Sequence, residues 1–313
     1  MGATFRHVAV LQQEVINWLQ PRPGGIYLDA TLGGGGHARL ILEQSFPDGR
    51  LLGLDRDPAA LAAATAELEP FGERVTTVHG NFAQVQELAA QHGFDQFDGI
   101  LLDLGVSSHQ LDTVARGFSF QGDAPLDMRM DTSGGRTAAD LVAELSAQEL
   151  TRIFFEYGEE RWARRISRRI VETRTEHPLN TTRALAELVA EVVPKSADTI
   201  RINPATRVFQ ALRIEVNGEL DALRQGLAAV VPLLHSGGRL AVISFHSLED
   251  RIVKHFMRDQ ALSCECPPRL PVCSCNRQAT LKILTRKGVR AAAVEVANNP
   301  RSRSAMLRVA EKI

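Results

Sequence analysis

The sequence predicts an α/β protein in which a doubly wound parallel sheet is interrupted by a helical insert. From Ile26 onward, short apolar runs alternate four times with helix-like segments, as in a sheet whose parallel strands are joined by helices. Between about Thr137 and Leu212 the segments are helical, with no convincing strand among them, and the alternation then resumes. The simplest organisation is one helical domain inserted into one sheet domain.

The first half of the sheet is predicted from four short strand-like runs that each lead to polar residues. These strands are Ile26–Asp29, Arg50–Leu54, Val75–His79 and Ile100–Leu102, the last ending at Asp103. The helices that follow the first three are His37–Gln44, an Ala-rich segment beginning at Pro58, and Ala83–Gln91. Proline suits the first turn of a helix because its missing N–H has no intrahelical partner there.

After the insert, a long helix is predicted over Glu215–Leu234 and an apolar strand over Arg239–Ser244. Two later runs, Leu281–Thr285 and Ala305–Val309, are expected to form an antiparallel pair that closes the sheet. We therefore predict a discontinuous domain formed by residues 1–136 and 213–313 and an inserted helical domain over residues 137–212.

The composition excludes several classes of protein. The apolar fraction of 44% and charged fraction of 23% are those of a globular protein. We expect a cytoplasmic protein without a membrane span, because there is no apolar run of about 18 residues and no secretory signal pattern. From Arg251 onward there are 13 Lys and Arg against 4 Asp and Glu, whereas the whole chain has a net charge of -1. Such a basic segment suggests a polyanionic partner.

A glycine run between the first strand and its helix predicts a nucleotide-type binding loop. Gly33 to Gly36 allow positive φ angles next to free helix amides. No Gly-Lys-Ser/Thr follows, so this is not a P-loop. Asp55, about 20 residues further on, is placed to accept two ribose hydroxyls of either NAD or S-adenosylmethionine. The acid Asp29 before the glycines and the absence of a spaced GxGxxG pattern favour S-adenosylmethionine.

The chain also resembles a known family, RsmH or MraW, through motifs that run in order from His7 to the C-terminus. They include "DATLGGGGHARLIL", "GLDRDP", "HGNF", "GILLDLGVSS", "RGFSF", "PLDMRM", "YGEER", "NPATRVFQALRI", "VISFHSLEDRIVK" and "NPRSRSAMLR". That family comprises bacterial methyltransferases acting on the exocyclic amine of a cytidine in 16S ribosomal RNA.

The resemblance implies a Rossmann-like S-adenosylmethionine-dependent methyltransferase sheet with an inserted all-helical domain. It implies S-adenosylmethionine as cofactor, and 16S ribosomal RNA or the small ribosomal subunit as partner. The implied cofactor contacts are Gly35, Gly36, His37, Asp55, Phe82, Asp103 and Gln110. A homodimer is left open.

The acid at the end of the fourth strand is the candidate catalytic group. A cytosine amine is a poor nucleophile. Transfer of a methyl group to it needs hydrogen-bond acceptors that hold the amine hydrogens as the nitrogen becomes positive. Asp103 and the hydroxyl of Ser107 are our candidates, with Gly105 turning the backbone between them. The resemblance assigns Asp103 to the cofactor as well, so its two roles compete, and Ser107 is equally well explained as an ordinary loop residue.

Candidate substrate-binding residues lie in three further segments. Phe118 could stack on an extruded base, or pack beneath its loop, while Arg129 could contact phosphate. Arg165 and Arg169 belong to an arginine stripe in "RWARRISRR", for which ion pairs of Glu160 with Arg164 and of Arg168 with Glu172 are an alternative explanation. His246 follows the fifth strand, and Ser247 with Asp250 is expected to cap the next helix.

Two questions remain open from the sequence. Cys264, Cys266, Cys273 and Cys275 could bind zinc or be reduced thiols of a surface loop, and we assign no metal ligand among them. Besides the rRNA methyltransferase, the alternatives are a methyltransferase of the same fold acting on another nucleic acid, a non-catalytic ribosome-assembly factor and a nicotinamide oxidoreductase.

Overall fold

The sheet predicted from the sequence is present in a computed structural model that describes residues 9–194, 203–266 and 274–313. Two compact units are distinguished, one formed by Met1–Gly105 with Leu220–Ile313 and the other by Val106–Glu219. The second unit is wider than the predicted insert, 137–212, because Phe118, Leu126, Met128 and Met130 are buried in its helical core.

The first unit contains one sheet with strand order β3-β2-β1-β4-β5-β8-β6, and β7 pairs with β8 outside this path. Its strands are β1 Ile26–Asp29, β2 Arg50–Asp55, β3 Val75–His79, β4 Phe97–Asp103, β5 Leu234–Ser244, β6 Leu281–Ile283, β7 Val289–Arg290 and β8 Met306–Lys312. Strands β1 to β5 pair in parallel, so their carboxyl ends meet at one edge. Strand β8 is antiparallel to both β5 and β6, which confirms the predicted closing pair.

Successive residues of a strand point to opposite sides of the sheet, so an apolar strand presents apolar side chains on both faces. Helices cover both of these faces. One face packs on α1 Gln12–Leu19, α2 Gly36–Gln44 and α3 Pro58–Leu68. The other packs on α4 Val85–Gln91, α11 Glu219–Val230 and α12 Ser247–Gln260. Leu28 and Tyr27, neighbours on β1, contribute to the two different cores. A short helix, α13 Ala293–Asn298, precedes β8.

The second unit is helical around its own hydrophobic core. Its helices are α5 Ser108–Asp112, α6 Ala138–Glu144, α7 Ala147–Glu156, α8 Ala163–Thr173, α9 Thr182–Val192 and α10 Ala205–Asn217. Buried Asn217 supports the loop before α6, since its side chain accepts from the Met130 amide at 2.8 Å and donates to the Met128 carbonyl at 2.8 Å.

The single long helix predicted over Glu215–Leu234 is wrong. Gly218 adopts a left-handed conformation with φ 58° and ends α10, so α11 begins at Glu219. A glycine at this position is a common helix stop because it tolerates positive φ. Among the described residues, every helix is too short or too polar to span a lipid bilayer.

Candidate active site

Three aspartates end neighbouring strands at one edge of the sheet. Asp29, Asp55 and Asp103 are the last residues of β1, β2 and β4, and β1 lies between the other two. The strands are parallel, with Asp29 opposite Gly53 on one side and Leu101 on the other. Acids delivered to this edge lie where ligands bind in open α/β sheets.

Burial makes all three carboxyl groups harder to ionise than in water. Loss of solvation raises the pKa of Asp29 to about 7, with the charge of Asp55 acting in the same direction. It raises the pKa of Asp55 to about 6, although backbone amides oppose it. For Asp103, burial first and then the charges of Asp29 and Glu249 raise the pKa well above its usual value. This edge therefore favours a cation, because a positive charge stabilises the ionised carboxylates.

Asp103 has an unused acceptor. Its amide donates to Thr31 Oγ1 at 2.6 Å, which fixes the strand end. Its Oδ2 lies 3.6 Å from Nε2 of the buried His37. Its Oδ1 is buried and accepts no hydrogen bond from the described residues. A buried oxygen without a hydrogen-bond donor lowers the stability of the fold, so Asp103 is suited to accept a hydrogen bond from a ligand.

The glycine loop is tied to the acid on β2. The Gly33 amide donates to Asp55 Oδ2 at 2.7 Å, and the Asp57 amide donates to Oδ1 at 2.8 Å. Each carboxylate oxygen has a second lone pair, so both can still accept a hydroxyl. The loop and the ribose-binding acid predicted from the sequence are thus one connected structure.

Gly35 and Gly36 are required by packing within the protein. Gly35 has φ +81°, and a Cβ there would lie 3.4 Å from the Ala64 Cα on α3. A Cβ on Gly36 would lie 3.2 Å from the Ala9 Cβ. These glycines let the loop sit against α3 and place the first amides of α2, which lack intrahelical acceptors, at the carboxyl edge of the sheet.

The residues present fit S-adenosylmethionine. Its adenosine ribose offers two hydroxyls, which match the remaining lone pairs of Asp55, and its sulfonium is the cation that the aspartates favour. Phe82, also expected at the cofactor, is partly buried with its ring against α11, where a Cβ on Gly226 would lie 2.4 Å from Phe82 Cδ2.

The helix cap after β5 differs from the predicted one. His246, not Ser247, is the N-cap of α12, and its partner is Glu249 rather than Asp250. The His246 ring lies 3.1 Å from the Glu249 carboxylate, and Asp250 instead accepts two hydrogen bonds from Arg308, at 2.6 and 3.0 Å. His246 therefore has a structural role at the sheet edge, whatever it contacts in a substrate.

Ser107 and Gln110 form a capping box at the start of α5. Ser107 Oγ accepts from the Gln110 amide at 3.2 Å, and Gln110 Oε1 accepts from the Ser107 amide at 2.9 Å. Gly105, two residues before Ser107, has φ +94° and supplies the predicted backbone turn. The capping role accounts for Ser107 without catalysis, although its hydroxyl hydrogen is not used by this bond.

Two of the predicted RNA contacts are engaged inside the second unit. Phe118 is 8% exposed within the helical core, with the Arg116 guanidinium 5.7 Å from its ring centre, so packing explains it better than base stacking. Arg129 forms a bidentate ion pair with Asp127, at 2.8 Å for both contacts. A phosphate would have to compete with that carboxylate for the guanidinium.

The arginine stripe lies on the exposed face of α8. Its buried face is formed by Ala163, Ile166, Ser167 and Ile170. The exposed arginines are Arg164, Arg165, Arg168 and Arg169. Arg165 stacks on Trp162 with its guanidinium 5.2 Å from the ring centre. Arg169 has a long ion pair with Glu191, with nitrogen and oxygen 4.0 Å apart. Neither intrahelical ion pair considered from the sequence is present in the described part of the chain, and Glu160 is instead buried and accepts from the Trp162 amide.

Two residues that contribute to the site were not predicted from the sequence. Thr31 positions Asp103, and Glu249, 2% exposed, adds a further negative charge near it. The acid three residues after the N-cap was a usable signal for Glu249, but it was assigned one residue too late. Thr31 had no local signal, because its contact joins two different strands.

Comparison with known proteins identifies one family. The model described as the MraW methylase family matches residues 4–313. The chain is 60% identical over 309 residues to ribosomal RNA small subunit methyltransferase H of Syntrophotalea carbinolica, covering 99% of this chain and 98% of that protein. It is 58% identical to the protein of the same name from Trichlorobacter lovleyi, covering 99% of each.

Solved structures resemble it more distantly. An rRNA methylase from Streptococcus thermophilus aligns with a TM-score of 0.42 at 10% identity, covering 100% of this chain and 99% of that one. A methyltransferase homolog from Pyrococcus horikoshii gives 0.42 at 15% identity, covering 94% of this chain and 64% of that one. The fold assignment rests on strand order and on the family match.

Proposed function

The chain belongs to the MraW methylase family, and we propose that it transfers a methyl group from S-adenosylmethionine to the exocyclic N4 amine of a cytidine in 16S ribosomal RNA. The observation that carries this proposal is the convergence of Asp29, Asp55 and Asp103 beside the glycine loop, with pKa values raised by burial. Such a site is unfavourable for a pyrophosphate and favourable for a cationic nucleoside.

S-adenosylmethionine supplies a methyl group activated by a positively charged sulfur. Asp55 would hold the ribose, and Asp29 would offset the positive charge. Asp103 Oδ1 would accept a hydrogen bond from the cytidine amine and so orient its nitrogen. Methyl transfer would leave that nitrogen positively charged until it lost a proton. The raised pKa of Asp103 suits it to accept that proton.

The exposed arginines of α8 are proposed to contact the RNA backbone. Replacing Arg165 and Arg169 with Gln should weaken RNA binding and lower the slope of log affinity against log salt by up to about 1.4, the value for two phosphate contacts to single-stranded RNA. Arg224→Gln, an exposed arginine paired with Asp221, is the matched control. An unchanged slope in the double variant would assign the stripe to the solvated surface.

The decisive experiment is mass spectrometry of ribosomal RNA from cells lacking the protein, compared with cells carrying it. We expect loss of one N4-methylated cytidine in 16S RNA and its restoration by the purified chain with labelled S-adenosylmethionine. Label found only in another RNA or in DNA would overturn the substrate, and no label in any nucleic acid would favour an assembly factor. We place the reaction in the cytoplasm, and sedimentation would decide between a monomer and the homodimer that the sequence leaves open.

A further inference from the structure

Three thiols come together in the segment between α12 and β6, outside the methyltransferase site. The sulfurs of Cys264, Cys266 and Cys275 all lie within 4.8 Å of one another. Cys264 Sγ and Cys275 Sγ are 3.9 Å apart. Around one tetrahedral zinc with Zn–S bonds of about 2.3 Å, neighbouring sulfurs are about 3.8 Å apart. The thiols therefore already have nearly the spacing of ligands to a single ion.

Backbone amides point at these sulfurs. The Cys266 amide donates to Cys264 Sγ at 3.4 Å, and the Glu265 amide donates to Cys275 Sγ at 3.5 Å. The Ser274 amide donates to Cys266 Sγ at 3.5 Å. Donors of this kind stabilise thiolates, which are the form of cysteine that binds metals.

The backbone on both sides of the thiols is anchored. Arg277 contacts the carboxylate of Glu265 and the carbonyl oxygen of Asp259, which joins the segment after the cluster to the segment before it. The Thr280 amide donates to the Gln260 carbonyl at 2.9 Å, close to the end of α12. Cys264 and Cys275 are thus held opposite each other by contacts that do not involve sulfur.

We propose that Cys264, Cys266 and Cys275 bind one Zn²⁺ as a structural site that fastens this segment between α12 and β6. Three thiolates occupy three corners of a tetrahedron and leave one corner for a further donor. Thiolates select soft or borderline metals, and zinc is the one that needs no redox chemistry. Cys273, the fourth cysteine of the sequence, lies outside the described residues.

The test is the metal content of the full-length protein, purified without chelators and without a metal-binding tag. We expect about one zinc per chain by elemental mass spectrometry, released when the thiols react with a mercurial. Cys264→Ser and Cys275→Ser should each lower the zinc content at least tenfold. Ser274→Ala is the matched control, because it keeps the amide that donates to Cys266 and should retain zinc.

A second measurement guards against variants that fail to fold. The metal-free protein titrated with Co²⁺ should show the absorption of tetrahedral cobalt–thiolate, and excess Zn²⁺ should remove it. Circular dichroism of each Ser variant should match that of the unaltered protein. Zinc far below one per chain together with no cobalt–thiolate absorption would overturn the proposal, as would iron in place of zinc. So would a Cys264–Cys275 disulfide, revealed by two missing thiols in a denatured titration.

Discussion

The affinity for S-adenosylmethionine should rise steeply between pH 5 and pH 7. A cation beside the strand-end aspartates is bound best when they are ionised, and the pKa of Asp29 is raised to about 7 by burial. That carboxyl is ionised in roughly one molecule in 100 at pH 5 and in one in two at pH 7, so binding that requires its charge strengthens up to about 50-fold. Asp55, with a pKa raised to about 6, adds up to about tenfold over the same range.

The same aspartates should make the stability of the cofactor-free protein change with pH in the opposite direction to the affinity. An acid whose pKa is higher in the folded state binds more protons when folded, so without cofactor the free energy of unfolding falls as pH rises from about 4 to about 7. Bound S-adenosylmethionine reverses this loss. The increase in melting temperature that it causes should therefore be larger at pH 7 than at pH 5.

Isothermal titration calorimetry in buffers of different ionisation enthalpy measures both the affinity and the protons released. S-adenosylhomocysteine is the matched ligand, because it has the same amino and carboxylate groups but an uncharged sulfur, and its affinity should vary less with pH. Asp29→Asn should remove most of the Asp29 contribution. Equal pH dependence for the two ligands, or an unchanged profile in Asp29→Asn, would refute the electrostatic account of this site.

Three substitutions test other parts of the structure. Asp103→Asn should slow methyl transfer by about 10²-fold or more, whereas Asp98→Asn, at the opposite end of the same strand, should leave the turnover number within about twofold of that of the unaltered protein. Gly35→Ala should cost about 1–2 kcal/mol of stability in thermal unfolding because of its positive φ, whereas Gly134→Ala, with nothing within 4 Å, should be neutral. Asn217→Ala should cost about 2–4 kcal/mol in urea unfolding by leaving buried backbone groups unpaired, and a loss below about 0.5 kcal/mol would contradict this.

The sequence was sufficient for those parts of the fold that have local signals. The first four strands were each predicted from a short run that leads to polar residues. Asp55 and Asp103, at the ends of β2 and β4, were predicted as cofactor or catalytic residues, and Asp29, at the end of β1, favoured the choice of cofactor. Parallel pairing then placed them together, since carboxyl ends of parallel strands share one edge. The fold class and the family were confirmed by the strand order and by the match over residues 4–313.

The remaining features depend on contacts between distant segments. Strand β5 begins at Leu234 rather than at the predicted Arg239, because its pairing with β4 passes over Gly237 and Gly238 through a register shift. Phe118 and Arg129 look like RNA contacts in a polar loop, but their burial and ion pairing become visible only in the folded unit. Unoccupied hydrogen-bond capacity, as at Asp103, cannot be derived from residue type alone.

The position of β8 constrains how the protein can be made on the ribosome. Residues 306–312 pair with β5 on one side and with β6 on the other, so an interior strand is synthesised after all the strands that it joins. A nascent chain lacking it presents β5 with an open edge, which invites pairing with other chains. Emergence of this late segment, rather than of the glycine loop, should therefore set when the growing polypeptide first becomes resistant to protease.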